Sequence, residues 1–181
     1  MNKLRLLIFL VLAGLFTIES CKKETITGYA YTTKPFQANI NGSTWAPDTI
    51  SNTITYNAAN KTKTFTLMGT KDQQQITMNI ILSNASSTPG FTTGIYNIDA
   101  SSVLVDYKTQ VYQNGQYVFL PHGTVSAGSG VITVSAVDSV KNKITGTFRF
   151  YSRSSDSNGD VTVDNILGGE FTNLPYTFTS N

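Results

Sequence analysis

Phe36-Gln37-Ala38-Asn39-Ile40-Asn41-Gly42 is the stretch on which the reading of this chain turns. Apolar side chains at Phe36, Ala38 and Ile40 alternate with polar ones, and Asn41-Gly42 supplies a turn. A period of two places alternate side chains on opposite faces, which is the pattern of a half-buried strand rather than a helix.

The same period recurs downstream. Ile50, Asn52, Ile54 and Tyr56 form one run, Phe65 and Leu67 another, and Ile76, Met78, Ile80 and Leu82 a third, with Ile81 on the other face. Turn-forming residues separate them: Asn57 to Asn60, Lys71 to Gln73, and Asn84 to Gly90. Tyr96 and Ile98 follow, then Val103 and Val105, then a hairpin centred on Asn114-Gly115. A two-residue Asn-Gly loop favours a type I′ turn, since both central positions need positive φ, and that register sets Tyr112 opposite Tyr117. Further strands are expected at Val131 to Val137, Ile144 to Tyr151, Val161 to Ile166 and Glu170 to Phe178, the last two separated by Gly168-Gly169. The expected fold is all-β: an antiparallel two-sheet sandwich or flattened up-and-down barrel of about nine to eleven short strands. Parallel pairing is not expected, because it needs crossover segments that this pattern lacks.

Upstream of this domain the character of the chain changes. Lys3 and Arg5 precede a run of about 11 mostly apolar residues, Leu6 to Phe16, too short to cross ~30 Å of hydrocarbon and of the length of a signal-peptide core. The chain's one cysteine, Cys21, follows Ile18, Glu19 and Ser20. This resembles a bacterial lipoprotein signal, cut before a cysteine that is then lipidated. Ile18 and Ser20 match the cleavage box; Glu19 stands where the strict form has a small residue and fits the looser form of Bacteroidota. The resemblance implies that residues 1–20 are a signal peptide, residues 21–35 a lipid anchor and tether, and residues 36–181 a single all-β domain. One acyl chain anchors marginally and several anchor stably, so a palmitate-type modification at Cys21 implies attachment to a membrane. Lys22-Lys23-Glu24 resembles the short charged signal that directs some Bacteroidota lipoproteins to the outer face of the outer membrane, so the domain is expected there or facing the periplasm.

Composition limits the remaining functions. Removing residues 1–20 takes away Lys3, Arg5 and Glu19 and leaves 11 basic and 10 acidic side chains, a balance that argues against nucleic acid as a partner. With no second cysteine there is no disulfide to stabilise the domain, and about 160 residues suffice for one hydrophobic core.

A broader resemblance joins the segment 36–42, followed by Trp45, to Gly94-Ile95-Tyr96, Gly130-Val131-Ile132, Ile144-Thr145-Gly146-Thr147-Phe148-Arg149-Phe150 and Gly169-Glu170-Phe171. Together these are similar to small Bacteroidota lipoproteins of unknown function. The resemblance implies a β-rich envelope domain and brings no catalytic residue with it.

His122, the one histidine, sits in a Pro-His-Gly turn with no nucleophile-elbow pattern in the chain, and is expected to be solvated. Glu170 is the one glutamate of the domain, so a carboxylate pair would need an aspartate. Asp156, Asn158 and Asp160 place oxygens at alternate positions, as calcium loops do, but Val161 and Leu167 stand where an EF-hand needs glycine and glutamate, so they are weak metal candidates and no metal or other cofactor is expected. Asp48-Thr49-Ile50 and Asp138-Ser139-Val140 resemble the O-glycosylation acceptor of Bacteroidota, which marks Thr49 and Ser139. Tyr112, Tyr117 and Trp45 are candidate ligand contacts, because exposed aromatic faces stack on sugar rings, while Tyr107 and Tyr151 extend the same aromatic set. The expected function is a non-catalytic envelope module binding a glycan, peptide or small ligand. The alternatives are a structural or accessory subunit of an outer-membrane complex and, behind both, a hydrolase.

Overall fold

The computed structural model describes residues 34–181. The expectations at residues 1–33, including the signal segment and Cys21, lie outside the described residues. Twelve strands form: β1 (Phe36–Ile40), β2 (Ser43–Trp45), β3 (Thr49–Asn57), β4 (Thr62–Lys71), β5 (Gln74–Leu82), β6 (Gly94–Asn97), β7 (Val103–Gln113), β8 (Gln116–Pro121), β9 (Gly130–Asp138), β10 (Lys143–Ser155), β11 (Val161–Pro175) and β12 (Thr177–Ser180). They make two unclosed six-stranded sheets, in the orders β2-β1-β11-β10-β9-β6 and β12-β3-β4-β5-β7-β8. The fold is therefore a sandwich, not a barrel.

The alternation read from the sequence sets which side chains enter the core. Phe36, Phe65, Phe150 and Phe171 are fully buried, and Phe65 of the second sheet lies 6.0 Å from Phe171 of the first, so the sheets meet through aromatic rings. Each such ring contributes ~1.5–3 kcal/mol by burial, which is how the fold holds without a disulfide. Lys63 is also buried. Its ammonium donates to the carbonyls of Thr88, at 2.7 Å, and Gly90, at 2.8 Å, and so pins the connection between β5 and β6.

Three expectations are corrected. There are twelve strands rather than nine to eleven, partly because β2, at three residues, is too short to show a period. Gly168-Gly169 does not divide two strands: β11 runs through it. On one flank Phe148 pairs with Gly169 and Phe150 with Ile166; on the other Gln37 pairs with Glu170 and Asn39 with Leu167. Two residues of β11 thus oppose one residue of each neighbour, a β-bulge shared by both ladders, and Gly168 takes φ +53° within it. Finally, β12 pairs with β3 in parallel, Thr177 against Thr53 and Phe178 against Ile54. Pro175 ends β11 and the chain changes sheets at Tyr176. The long connection that parallel pairing requires is the body of the domain itself, β4 to β11.

Candidate functional site

The hairpin of β7 and β8 projects beyond its sheet. Pairing of β7 with β5 ends at Thr109 opposite Gln74, and from Gln110 to Gln113 its ladder partner is β8 alone. Asn114 and Gly115 take φ +51° and +82°, the two left-handed positions that the Asn-Gly turn was expected to supply. Tyr112 lies opposite Tyr117 as the register requires. The rings are 5.1 Å apart at an interplanar angle of 60°, and the residues are 66% and 65% exposed. Gln110 pairs with Phe119, which stands two residues from Tyr117 and so shares its face. Sequence reasoning did not single out Phe119, although its spacing from Tyr117 carries the signal.

The other aromatic candidates are placed differently. Trp45 is withdrawn as a ligand contact: it is buried, edge-on to Phe36 at 5.5 Å, and fills the core beside the first hairpin. Tyr107 is buried too, whereas Tyr151 stands on the outer face of β10. Thr49 and Ser139 are both exposed, as a modified hydroxyl must be.

His122 is not the freely solvated turn residue expected. Its Nδ1 lies 2.7 Å from Oδ2 of Asp164, a buried carboxylate of β11, while Asn41 Nδ2 donates to the other carboxylate oxygen at 2.8 Å. The ring stands edge-on to Tyr107 at 5.7 Å, and the phenol of Tyr107 accepts from Gln74 Nε2. Burial, and next the charge of Asp164, push the Tyr107 phenol above its ordinary pKa, with the Gln74 hydrogen bond acting the other way. An imidazole oriented by a buried carboxylate is two-thirds of a hydrolytic triad. The nearby hydroxyl of Ser152 donates to the His122 backbone carbonyl and makes no hydrogen bond to the ring. As it stands, the cluster ties β1, β7, β10, β11 and the segment after β8 together at one end of the sandwich.

Asp156, Asn158 and Asp160 do not converge as a cation cage. Asp156 Oδ1 accepts from the backbone N–H groups of Asn158 and Asp160, closing the turn between β10 and β11. No group of three or more His, Cys, Asp or Glu side chains that could hold a metal ion occurs among the described residues. A cleft of about 770 Å³ lies over the outer face of the first sheet, and the one carboxylate in its lining is Glu170, to which Gln37 Nε2 donates. The paired acid and base of a glycosidase are therefore not assembled there.

An open two-sheet β-sandwich with an exposed tyrosine hairpin is what the fold defines. The chain belongs to the family described as "Domain of unknown function (DUF6252)", which matches residues 32–175. No curated protein and no solved structure matches it. No helix among the described residues is long and apolar enough to cross a membrane.

Proposed function

We propose that this protein is a lipid-anchored component of the cell envelope whose sandwich domain is a non-catalytic binding module, with a glycan as its ligand and the β7–β8 hairpin as its contact surface. The observation that carries this reading is the pair Tyr112 and Tyr117, two rings held side by side on a projecting hairpin and left largely bare. Large aromatic faces are normally buried for their hydrophobic gain, so a pair held exposed on a projecting hairpin suits a partner with an apolar ring face and polar edges. The filled space between the sheets argues against a small ligand enclosed in the core. Attachment through Cys21 rests on its place after the apolar run Leu6 to Phe16.

Two measurements test the reading. In a glycan binding screen the double variant Tyr112→Ala, Tyr117→Ala is expected to lose binding while losing no more than ~1 kcal/mol of stability, the range for a cross-strand pair. Retained binding would sink the hairpin as the contact surface, and capture of an envelope protein in place of a glycan would favour an accessory subunit. Metabolic labelling with a fatty-acid probe is expected to mark the wild type and not Cys21→Ser; a labelled variant would refute the anchor.

A further inference from the structure

Arginine is scarce in this chain. It occurs at Arg5, Arg149 and Arg153, so both arginines of the domain lie on one strand, β10, four residues apart with Tyr151 midway. Alternate residues of a strand share a face, and the burial of β10 alternates so that Phe148, Phe150 and Ser152 point inward while Arg149, Tyr151 and Arg153 point out. The two guanidinium-bearing positions are thus separated by roughly 13 Å along the strand, with an aromatic ring between them.

This row lies in a trough rather than on an open surface. The cleft of about 770 Å³ takes in Arg149 and Tyr151, and a second of about 330 Å³ takes in Tyr151 and Arg153. Gly128, Ser129 and Tyr151 line both, so the two run into each other along β10. The floor is kept low by glycine. Gly168, in the bulge opposite Arg149, has open space where a side chain would stand. Neither arginine has an ion-pair partner among the described residues.

We infer that this trough is a second binding site, distinct from the tyrosine hairpin, and that it takes an anionic oligosaccharide bearing carboxylates, a uronic-acid chain. Arginine is the side chain suited to planar, bidentate recognition of a carboxylate, and two arginines astride an aromatic ring match acidic groups flanking a stacked sugar. Glu170, at the far end with Gln37, is placed to accept sugar hydroxyls. One carboxylate and two arginines are too little positive charge for a polyphosphate backbone, which favours the glycan over single-stranded nucleic acid. The inference shares with the functional reading only the assumption of a glycan ligand, since it uses another sheet and other residues.

The test is calorimetric titration of the full chain in detergent with hexagalacturonate, a neutral glucose hexasaccharide, and a single-stranded DNA hexamer. Hexagalacturonate is expected to bind, and to bind more weakly as salt rises. Arg149→Gln and Arg153→Gln should each weaken it about 10-fold or more, and Arg149→Lys should restore only part of the loss. Tyr151→Ala should weaken it as well, whereas Tyr112→Ala with Tyr117→Ala should leave it unchanged. The inference is overturned if hexagalacturonate does not bind at millimolar concentration, if the DNA binds as tightly, or if the double variant Arg149→Gln, Arg153→Gln, shown by its melt to be folded, binds as the wild type does. Failure of the hairpin reading would show separately, as glycan binding by the Arg149→Gln, Arg153→Gln variant that survives further loss of both hairpin tyrosines.

Discussion

His122 Nδ1 and Asp164 Oδ2 lie 2.7 Å apart although 42 residues separate them in sequence, and the carboxylate is buried while the imidazole is partly open to solvent. The pair joins the segment after β8 to the first part of the other sheet's strand β11. Removing the imidazole leaves a buried carboxylate with Asn41 as its remaining side-chain donor, at a cost of ~1–3 kcal/mol. His122→Ala is therefore expected to lower the urea midpoint at unchanged slope. A double-mutant cycle with Asp164→Ala should show a coupling of at least ~0.5 kcal/mol; strict additivity would mean that the contact contributes nothing in solution.

Lys63 offers a pH dependence whose sign can be worked out. Burial lowers its pKa from the ordinary 10.5. Between the lowered value and 10.5 the unfolded chain holds the proton that the folded chain has released, so stability contributed by this residue rises with pH across that window. Tyr96, Tyr107 and Tyr176, whose phenols burial pushes upward, act oppositely as pH passes their ordinary 10.0. The quantity to measure is the difference between wild type and Lys63→Met: it should shift in favour of the wild type as pH climbs toward 10.5, and a flat difference would contradict the assignment.

Two glycines, one in a turn and one in a strand, separate geometry from packing. Gly115 has φ +82° and open space around its missing Cβ, so Gly115→Val meets only backbone strain, ~1–2 kcal/mol. Gly169 has no positive φ, but a Cβ there would meet the Phe148 ring at 2.5 Å, so Gly169→Ala overpacks the core at ~1–3 kcal/mol. Phe148→Leu should relieve part of the second defect and none of the first. Equal rescue of both in thermal melts would show that the two glycines do not play these separate roles.

Much of this sandwich is legible from alternation alone, because each inward face is a row of apolar residues at period two; the Asn114-Gly115 hairpin is legible because its turn type admits few residues. Other features resist such reading for physical reasons. Gly168-Gly169 looks like a loop because glycine signals both a turn and a bulge, and only the pairing on both flanks of β11 tells them apart. The partnership of His122 with Asp164 depends on which strands become neighbours, and nothing local encodes that. Trp45 and Tyr112 are alike as aromatic strand residues, but one faces the core and the other projects past the end of the β5–β7 ladder. The arginine row of β10 was open to a period-two reading, yet its significance comes from the trough formed by the segment 126–129 and by the bulge.

The pairing of β1 with β11 bears on how the chain reaches this structure. Gln37 meets Glu170 across 133 residues, and Thr53 meets Thr177. The innermost ladders of one sheet and the outermost of the other thus wait for the last strands to be synthesised. Hairpins such as β1–β2, β4–β5 and β7–β8 can close early, but the second edge of β1 and the free edge of β3 have no partner until β11 and β12 arrive. Chains dominated by such distant contacts fold in milliseconds to seconds rather than microseconds, and their unpaired edges are open to aggregation in the interval. The slow step of folding should be the docking of residues 161–180, and cutting the chain just before β11 should leave a soluble intermediate at best, never a smaller native domain.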